Sequence, residues 1–246
     1  NKNGTPKYET WIAPTYQPIK EKPTSFIDVK WHESSLNKWD KNDFVKFLKK
    51  EFSKDQYYDI IKKYRLGTKD SDVIFWQIDI DKRIRSGKIM AYNPETGKRQ
   101  KRITWVHSKI ENFNLNQCLF GEHLLIGNNK PIAIVESEKT ACIMSQCRPD
   151  FLWLATGGST SGIDKKFKTL IGNQNEVILF QDEGKYQEWL HLQETILKYN
   201  SGVSKDCDIW YEKEDIKKGD DIADYYLNKY GSTGLNLLKP KVKYYE

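Results

Sequence analysis

Three apolar runs without alternation stand between residues 131 and 184: Pro131-Ile-Ala-Ile-Val-Glu136, Phe151-Leu-Trp-Leu-Ala-Thr-Gly-Gly158 and Val177-Ile-Leu-Phe-Gln-Asp182. A helix-length segment from Glu138 to Gln146 separates the first two. Short continuous apolar runs spaced by helices are the pattern of strands buried on both faces of a parallel sheet. Successive parallel strands end on one rim, so Glu136, Gly157, Gly158 and Asp182 are expected to meet where open α/β sheets hold their ligands. Two carboxylates with little positive charge beside them repel unless a proton or cation lies between them, and hard oxygen donors suit Mg²⁺ or Mn²⁺.

Upstream the spacing changes. Phe44, Phe47 and Leu48, then Tyr57, Ile60, Ile61 and Tyr64, recur at helical intervals, with Ser53 and Asp55 as candidate caps. Two short amphipathic helices ending near Gly67 are predicted, with Lys46, Lys49, Lys50, Lys62 and Lys63 on solvated faces. Val73 to Asp79, Arg83 to Tyr92 and Lys98 to Trp105 read as a β-meander whose second turn is Asn93-Pro-Glu-Thr-Gly97. Trp105 to Gly127 is a connector anchored by Leu119 to Leu125, in which His107 and His123 read as packing or hydrogen-bonding histidines. The first thirty residues, polar and carrying Pro6, Pro14, Pro18 and Pro23, read as an extended arm. Beyond Asp182 a helix is expected over Tyr186 to Tyr199, a strand over Asp208 to Tyr211, and a helix running to Tyr230 behind a cap at Asp220 or Asp221. The expected division is an arm with two helices (1–68), a basic β-meander with its connector (69–128), an α/β domain (129–235) and a basic tail (236–246).

Charge alters this picture in one place. The chain of 246 residues carries a net charge of +6, while Lys82 to Arg102 alone holds eight Lys/Arg against Glu95, a local +7. The basicity is therefore concentrated in one ribbon. Arg83, Arg85, Lys88, Arg99, Lys101 and Arg102, beside Tyr92 and Trp105, are candidates to track a phosphate backbone and stack bases; a charge-protected sheet edge gives the same pattern. The small polar loop Thr156-Gly-Gly-Ser-Thr-Ser-Gly162 lets backbone N–H groups approach a phosphate, with Lys165, Lys166 and Lys168 just beyond it. Cys118, Cys142, Cys147 and Cys207 form no C-x-x-C pair and have no His at finger spacing, so free thiols in a reducing compartment are expected rather than zinc. No apolar run nears the roughly 20 residues of a membrane span and no secretory h-region is visible, so a cytoplasmic protein is expected. The sequence opens at Asn1 without Met, and a longer parent chain is expected.

Ile134-Val-Glu136-Ser-Glu-Lys-Thr-Ala141, the run into Ala155-Thr-Gly-Gly158, and Val177-Ile-Leu-Phe-Gln-Asp182-Glu-Gly184 resemble the Toprim domain of bacterial primases, topoisomerases and some nucleases. The resemblance covers about residues 131–230 and implies a Rossmann-like parallel sheet with helices on both faces. The longer run from Phe75-Trp-Gln-Ile-Asp79 through Gly87-Lys-Ile-Met90, Tyr92-Asn-Pro94 and Phe120-Gly-Glu-His-Leu-Leu125 is similar to primase-like proteins of Bacteroides-type mobile elements, in which a zinc ribbon often precedes this region. Carried over, Glu136 matches the family's glutamate, a general acid/base in nucleotidyl transfer or strand cleavage, and Asp182 its first metal-binding aspartate. The second aspartate falls on Gly184, and Ser137 replaces the usual glycine. Lys217 to Tyr226 resembles the Asp-rich segment closing many such domains, which would bring Asp220, Asp221 and Asp224 to the metal. Lys139, Gly157, Gly158 and Ser159 are the phosphate-binding candidates; Lys139 in solvent and Glu138 as a first-turn acid favoured by the helix dipole are the plainer readings.

The expectation is an α/β Toprim-like protein with Mg²⁺ or Mn²⁺ that makes primers by nucleotidyl transfer. Its expected partners are nucleic acid, in particular single-stranded DNA, and a replicative helicase, with no membrane. A metal-dependent nuclease on the same fold and a non-catalytic binding module with a degenerate site are the alternatives.

Overall fold

The computed structural model describes residues 22–158, 163–170, 175–182, 185, 189, 204–206 and 221–234. Most of the expected arm, most of the helix expected over Tyr186 to Tyr199, the strand expected over Asp208 to Tyr211, the tail, and Ser159, Glu183, Gly184 and Asp220 lie outside the described residues.

Helix α1 (Val29–Ser35) begins where the sequence suggested an arm. It is short, and tertiary contact holds it. His32 meets Trp76 edge-on at 5.5 Å, and Trp76 Nε1 donates to Ser35 Oγ at 3.0 Å. The two helices read from apolar spacing follow as α2 (Asp43–Glu51) and α3 (Lys54–Tyr64). The Asn42 side chain accepts from Val45 N and donates to Gly67 O and Thr68 Oγ1, so one cap also fastens the first strand. Ser53 and Gln56 form a reciprocal capping box at the start of α3, and Arg65 ends that helix at φ 50°.

Strands β1 (Gly67–Lys69), β2 (Asp72–Ile78), β3 (Ile84–Tyr92) and β4 (Arg99–Trp105) form an antiparallel sheet in that order. Strand β2 is buried along its whole length because both faces are covered, whereas β4 is an edge strand exposed from Arg99 to Thr104. Two 3₁₀ turns, Val106–Lys109 and Glu122–Leu125, punctuate the connector. There His107 Nδ1 lies 2.6 Å from Ser86 Oγ and His123 Nε2 lies 3.1 Å from Lys63 O, the hydrogen-bonding roles expected for them.

The second sheet is parallel, with β5 (Ile132–Val135) between β6 (Leu152–Ala155) and β7 (Val177–Phe180), and β8 (Ser204–Asp206) outside β7. Helix α4 (Glu138–Cys147) is the crossover from β5 to β6, and the short α5 (Ile163–Lys166) and α6 (Ile222–Gly234) come later in the chain. Ile132 and Ile134 face one core with Leu152, Leu154 and Phe167, and Ala133 and Val135 face another. That second core also takes Phe44, Leu48, Ile60, Phe75 and Tyr92, so the two sheets share an interior. The Tyr64 hydroxyl lies 2.9 Å from Trp153 O and 3.2 Å from Ala141 O, tying α3 to both β6 and α4. Cys118, Cys142 and Cys147 are buried free thiols. Among the described residues no helix is long and apolar enough to cross a membrane.

Candidate functional site

Register builds the rim. Val135 pairs with both Ala155 and Phe180, so the residues that follow, Glu136, Thr156-Gly157-Gly158 and Gln181-Asp182, leave the sheet at one level. Gly157 and Gly158 take φ of 82° and 105°, a left-handed path that suits glycine, and Gly157 N donates to Glu136 O at 3.0 Å. Ser137, standing where Toprim sequences usually carry glycine, caps α4 by accepting from Thr140 N at 3.1 Å. That explains locally why a serine fits.

Burial pushes the Asp182 carboxyl up to about 7, and the negative charges of Asp221, Glu136 and Asp224 push the same way against Lys139. Asp221 and Asp224 have structural duties as well. Asp221 Oδ1 accepts from Asp224 N at 2.9 Å and Asp224 Oδ2 accepts from Asp221 N at 3.4 Å, a reciprocal cap on α6. Thr140 Oγ1 donates to Asp221 Oδ2 at 2.5 Å and Lys139 Nζ to Asp224 Oδ1 at 3.2 Å, which binds α6 to α4. Lys139 is thus paired on the protein rather than standing in solvent. Among the described residues no group of three or more acids, histidines or cysteines is spaced to hold a metal ion together. Hard oxygen donors are present at the rim, but the described set does not close around a cation.

A second cluster lies beneath the glycine loop, and the sequence reading missed it. Lys88, placed by sequence on an exposed ribbon, is buried. Its Nζ donates to Glu138 Oε2 and to Gly157 O, each at 3.1 Å, 5.9 Å from the Trp105 ring. Glu138, the first residue of α4, is therefore an ion-pair partner turned inward. Lys166, also buried, donates to Thr156 O at 2.6 Å. Burial chiefly holds its amine below the usual range, helped by Lys88 and opposed by Glu138 and Cys118. Among the described residues, Glu138 Oε1 and both amide atoms of Gln77 are buried without a hydrogen-bond partner. A Cβ on Gly157 would lie 3.1 Å from that Glu138 oxygen. The signal for this arrangement was in the alternation: Lys88 shares its strand face with Met90 and Tyr92, both core residues.

The ribbon itself is only partly available. Arg83 and Arg85 both pair with the buried Asp79, Arg83 also with Asp81, and both guanidinium groups lie over Phe26 at 4.8 and 5.1 Å. Arg102 pairs with Asp72 at 2.5 Å. Arg99 and Lys101 are exposed on the edge strand and make no ion pair among the described residues.

The fold, a parallel sheet packed with an antiparallel one, is similar to that of DnaG-type primase catalytic domains. The DnaG primase catalytic domain bound to ssDNA matches with a TM-score of 0.51 and 16% identity over 87% of this chain and 83% of that one. The primase fragment of the bacteriophage T7 primase-helicase protein gives 0.47 and 15%, over 73% and 69%. The DnaG catalytic core gives 0.45 and 17%, over 77% of this chain and 61% of that one. At such identities the likeness is one of fold. The chain belongs to the family described as a domain of unknown function, DUF6371, whose model matches residues 42–183. No curated protein matches it.

Proposed function

We propose that this chain is a primase-like protein that acts on nucleic acid, making primers by nucleotidyl transfer in the replication or transfer of a mobile element. The observation that supports the reading is the Asp182 carboxyl, raised to about 7 first by burial and then by the negative charges of Asp221, Glu136 and Asp224. Glu136 would act as general acid/base, and Asp182 would contribute to a Mg²⁺ or Mn²⁺ site. The ion, when bound, would offset charge developing on a transferring phosphoryl group. Single-stranded DNA would be held by Arg99 and Lys101 on the edge strand, and a replicative helicase is the expected protein partner.

The test is ribonucleotide incorporation on single-stranded templates with Mg²⁺ and with Mn²⁺, beside calorimetric titration of each metal. Glu136→Gln is expected to lower incorporation by about a hundredfold or more, the lower end of a general acid/base contribution. Asp182→Asn is expected to abolish metal binding. Cutting of the labelled strand instead of extension would make the chain a nuclease. The use of Asp221 and Asp224 as a helix cap favours a second reading, a binding module with a degenerate site. Nucleic-acid binding with neither metal binding nor chemistry would establish it.

A further inference from the structure

Away from the rim, on the outer face of the antiparallel sheet, α1, the end of β1 and the 3₁₀ turn at Val106–Lys109 enclose an open cavity of about 390 Å³. That volume falls within the roughly 300–1,000 Å³ of small-molecule sites. Its floor is the apolar sheet face of Ile74, Ile89 and Val106, all buried. Its wall is the indole of Trp31, 47% exposed, a large aromatic ring left in water on a helix of seven residues. At one end stand Lys69 and Lys109, close enough that the Lys109 ammonium is the chief cause holding the Lys69 amine below its usual range, ahead of burial. Of the neighbouring acids, Asp70 is exposed and Asp72 is committed to Arg102, and among the described residues no carboxylate lines the cavity. Neither lysine makes an ion pair among the described residues.

We propose that this cavity binds a nucleoside phosphate, with the base lying against Trp31 over the apolar floor and the phosphate bridging Lys69 and Lys109. Two ammonium groups without a shared counterion repel, and one divalent anion relieves both where a monocarboxylate would relieve one. The Trp31 indole lines the cavity beside the apolar floor, and base stacking on an aromatic side chain is favourable whatever the base. The site is independent of the rim acids and of the primer-synthesis reading. The nucleotide unit is either free or part of a strand.

The experiment uses the full chain labelled with 5-fluorotryptophan. The Trp31 resonance, one among eight tryptophans, is assigned through Trp31→Phe. In metal-free buffer the chain is titrated with AMP, adenosine, inorganic phosphate and a short oligothymidylate. AMP is expected to shift the Trp31 resonance saturably and to bind more tightly than adenosine or phosphate. The double variant Lys69→Ala/Lys109→Ala should weaken AMP by about tenfold or more, the scale of one charge-assisted hydrogen bond. It should keep the dispersion of the other seven resonances. Asp182→Asn should leave the titration unchanged, which separates this site from the rim. Tighter binding of the oligothymidylate than of AMP identifies a strand as the source, and the reverse a free nucleotide. A Trp31 resonance moved by neither, phosphate binding as tightly as AMP, or unaltered affinity in the lysine variant overturns the proposal.

Discussion

Two buried titratable side chains make different demands on the fold. His32, on α1, accepts a hydrogen bond from Arg65 Nε at 3.3 Å, and burial, then Arg65, then His123 lower its pKa to about 4. An imidazole whose folded pKa lies below its unfolded value of about 6.5 takes up its proton more readily when unfolded. Its contribution to stability is therefore present above about pH 6.5 and lost as the pH falls toward 4. The wild type is expected to lose about 2–3 kcal/mol from this source across that window. His32→Phe, unfolded in urea at pH 7 and pH 4.5, should show a correspondingly shallower dependence, and an unchanged slope would rule the residue out. Lys88 is the second case. An exposed ribbon lysine would tolerate truncation within about 0.5 kcal/mol, whereas breaking a buried pair costs about 3–5 kcal/mol. Lys88→Met should fall in the second range because it strands Glu138, whose Oε1 already lacks a partner among the described residues. The double variant Lys88→Met/Glu138→Gln should recover part of the loss, measured as a coupling energy in a denaturant cycle.

Elements with a strong local period were legible from sequence, and those fixed by distant contacts were not. The unalternating runs at Ile132–Val135, Leu152–Ala155 and Val177–Phe180 are the three strands expected, since a strand buried on both faces has no polar face to hide its pattern. Helices α2 and α3 carried their caps and periods within themselves. By contrast, α1 and β1 are too short to have a period; α1 is held by Trp76, some forty residues on, and β1 by the Asn42 side chain and by pairing with β2. Glu136 and Asp182 could be placed from the ends of their strands, while the inward turn of Lys88 needed its alternation with Met90 and Tyr92 to outweigh its charge. The meander's second turn shows how such long-range contacts bear on an element. Gly97 sits at φ 62°, and a Cβ there would lie 2.5 Å from the Phe47 ring on α2. Gly97→Ala combines a strained backbone with a clash against the core, so a loss of about 2 kcal/mol or more is expected in thermal or urea unfolding. The Lys50–Glu95 bridge at the same turn is exposed, so its removal should cost well under that.

Across the whole molecule, charge is divided between interior and surface in a way the net +6 does not reveal. Of the six candidate contact residues among the ribbon's eight cations, Lys88 is held inside, Arg83 and Arg85 pair with Asp79, and Arg102 is held by Asp72. Arg99 and Lys101 remain, on the exposed edge strand of the antiparallel sheet. An edge strand carrying cations resists pairing with another chain and also offers a basic track, so the two readings of the ribbon coexist at this strand. Salt dependence separates them. If the edge holds single-stranded DNA, each phosphate contact adds about 0.7 to the slope of log affinity against log salt concentration. Arg99→Ala/Lys101→Ala should then flatten the slope by about 1.4, two such contacts, and weaken binding alike for all sequences. Arg83→Ala should change it little, because that guanidinium is already neutralised. A slope untouched by the double variant would confine the edge to its protective role and transfer nucleic-acid contact to other surfaces of the fold.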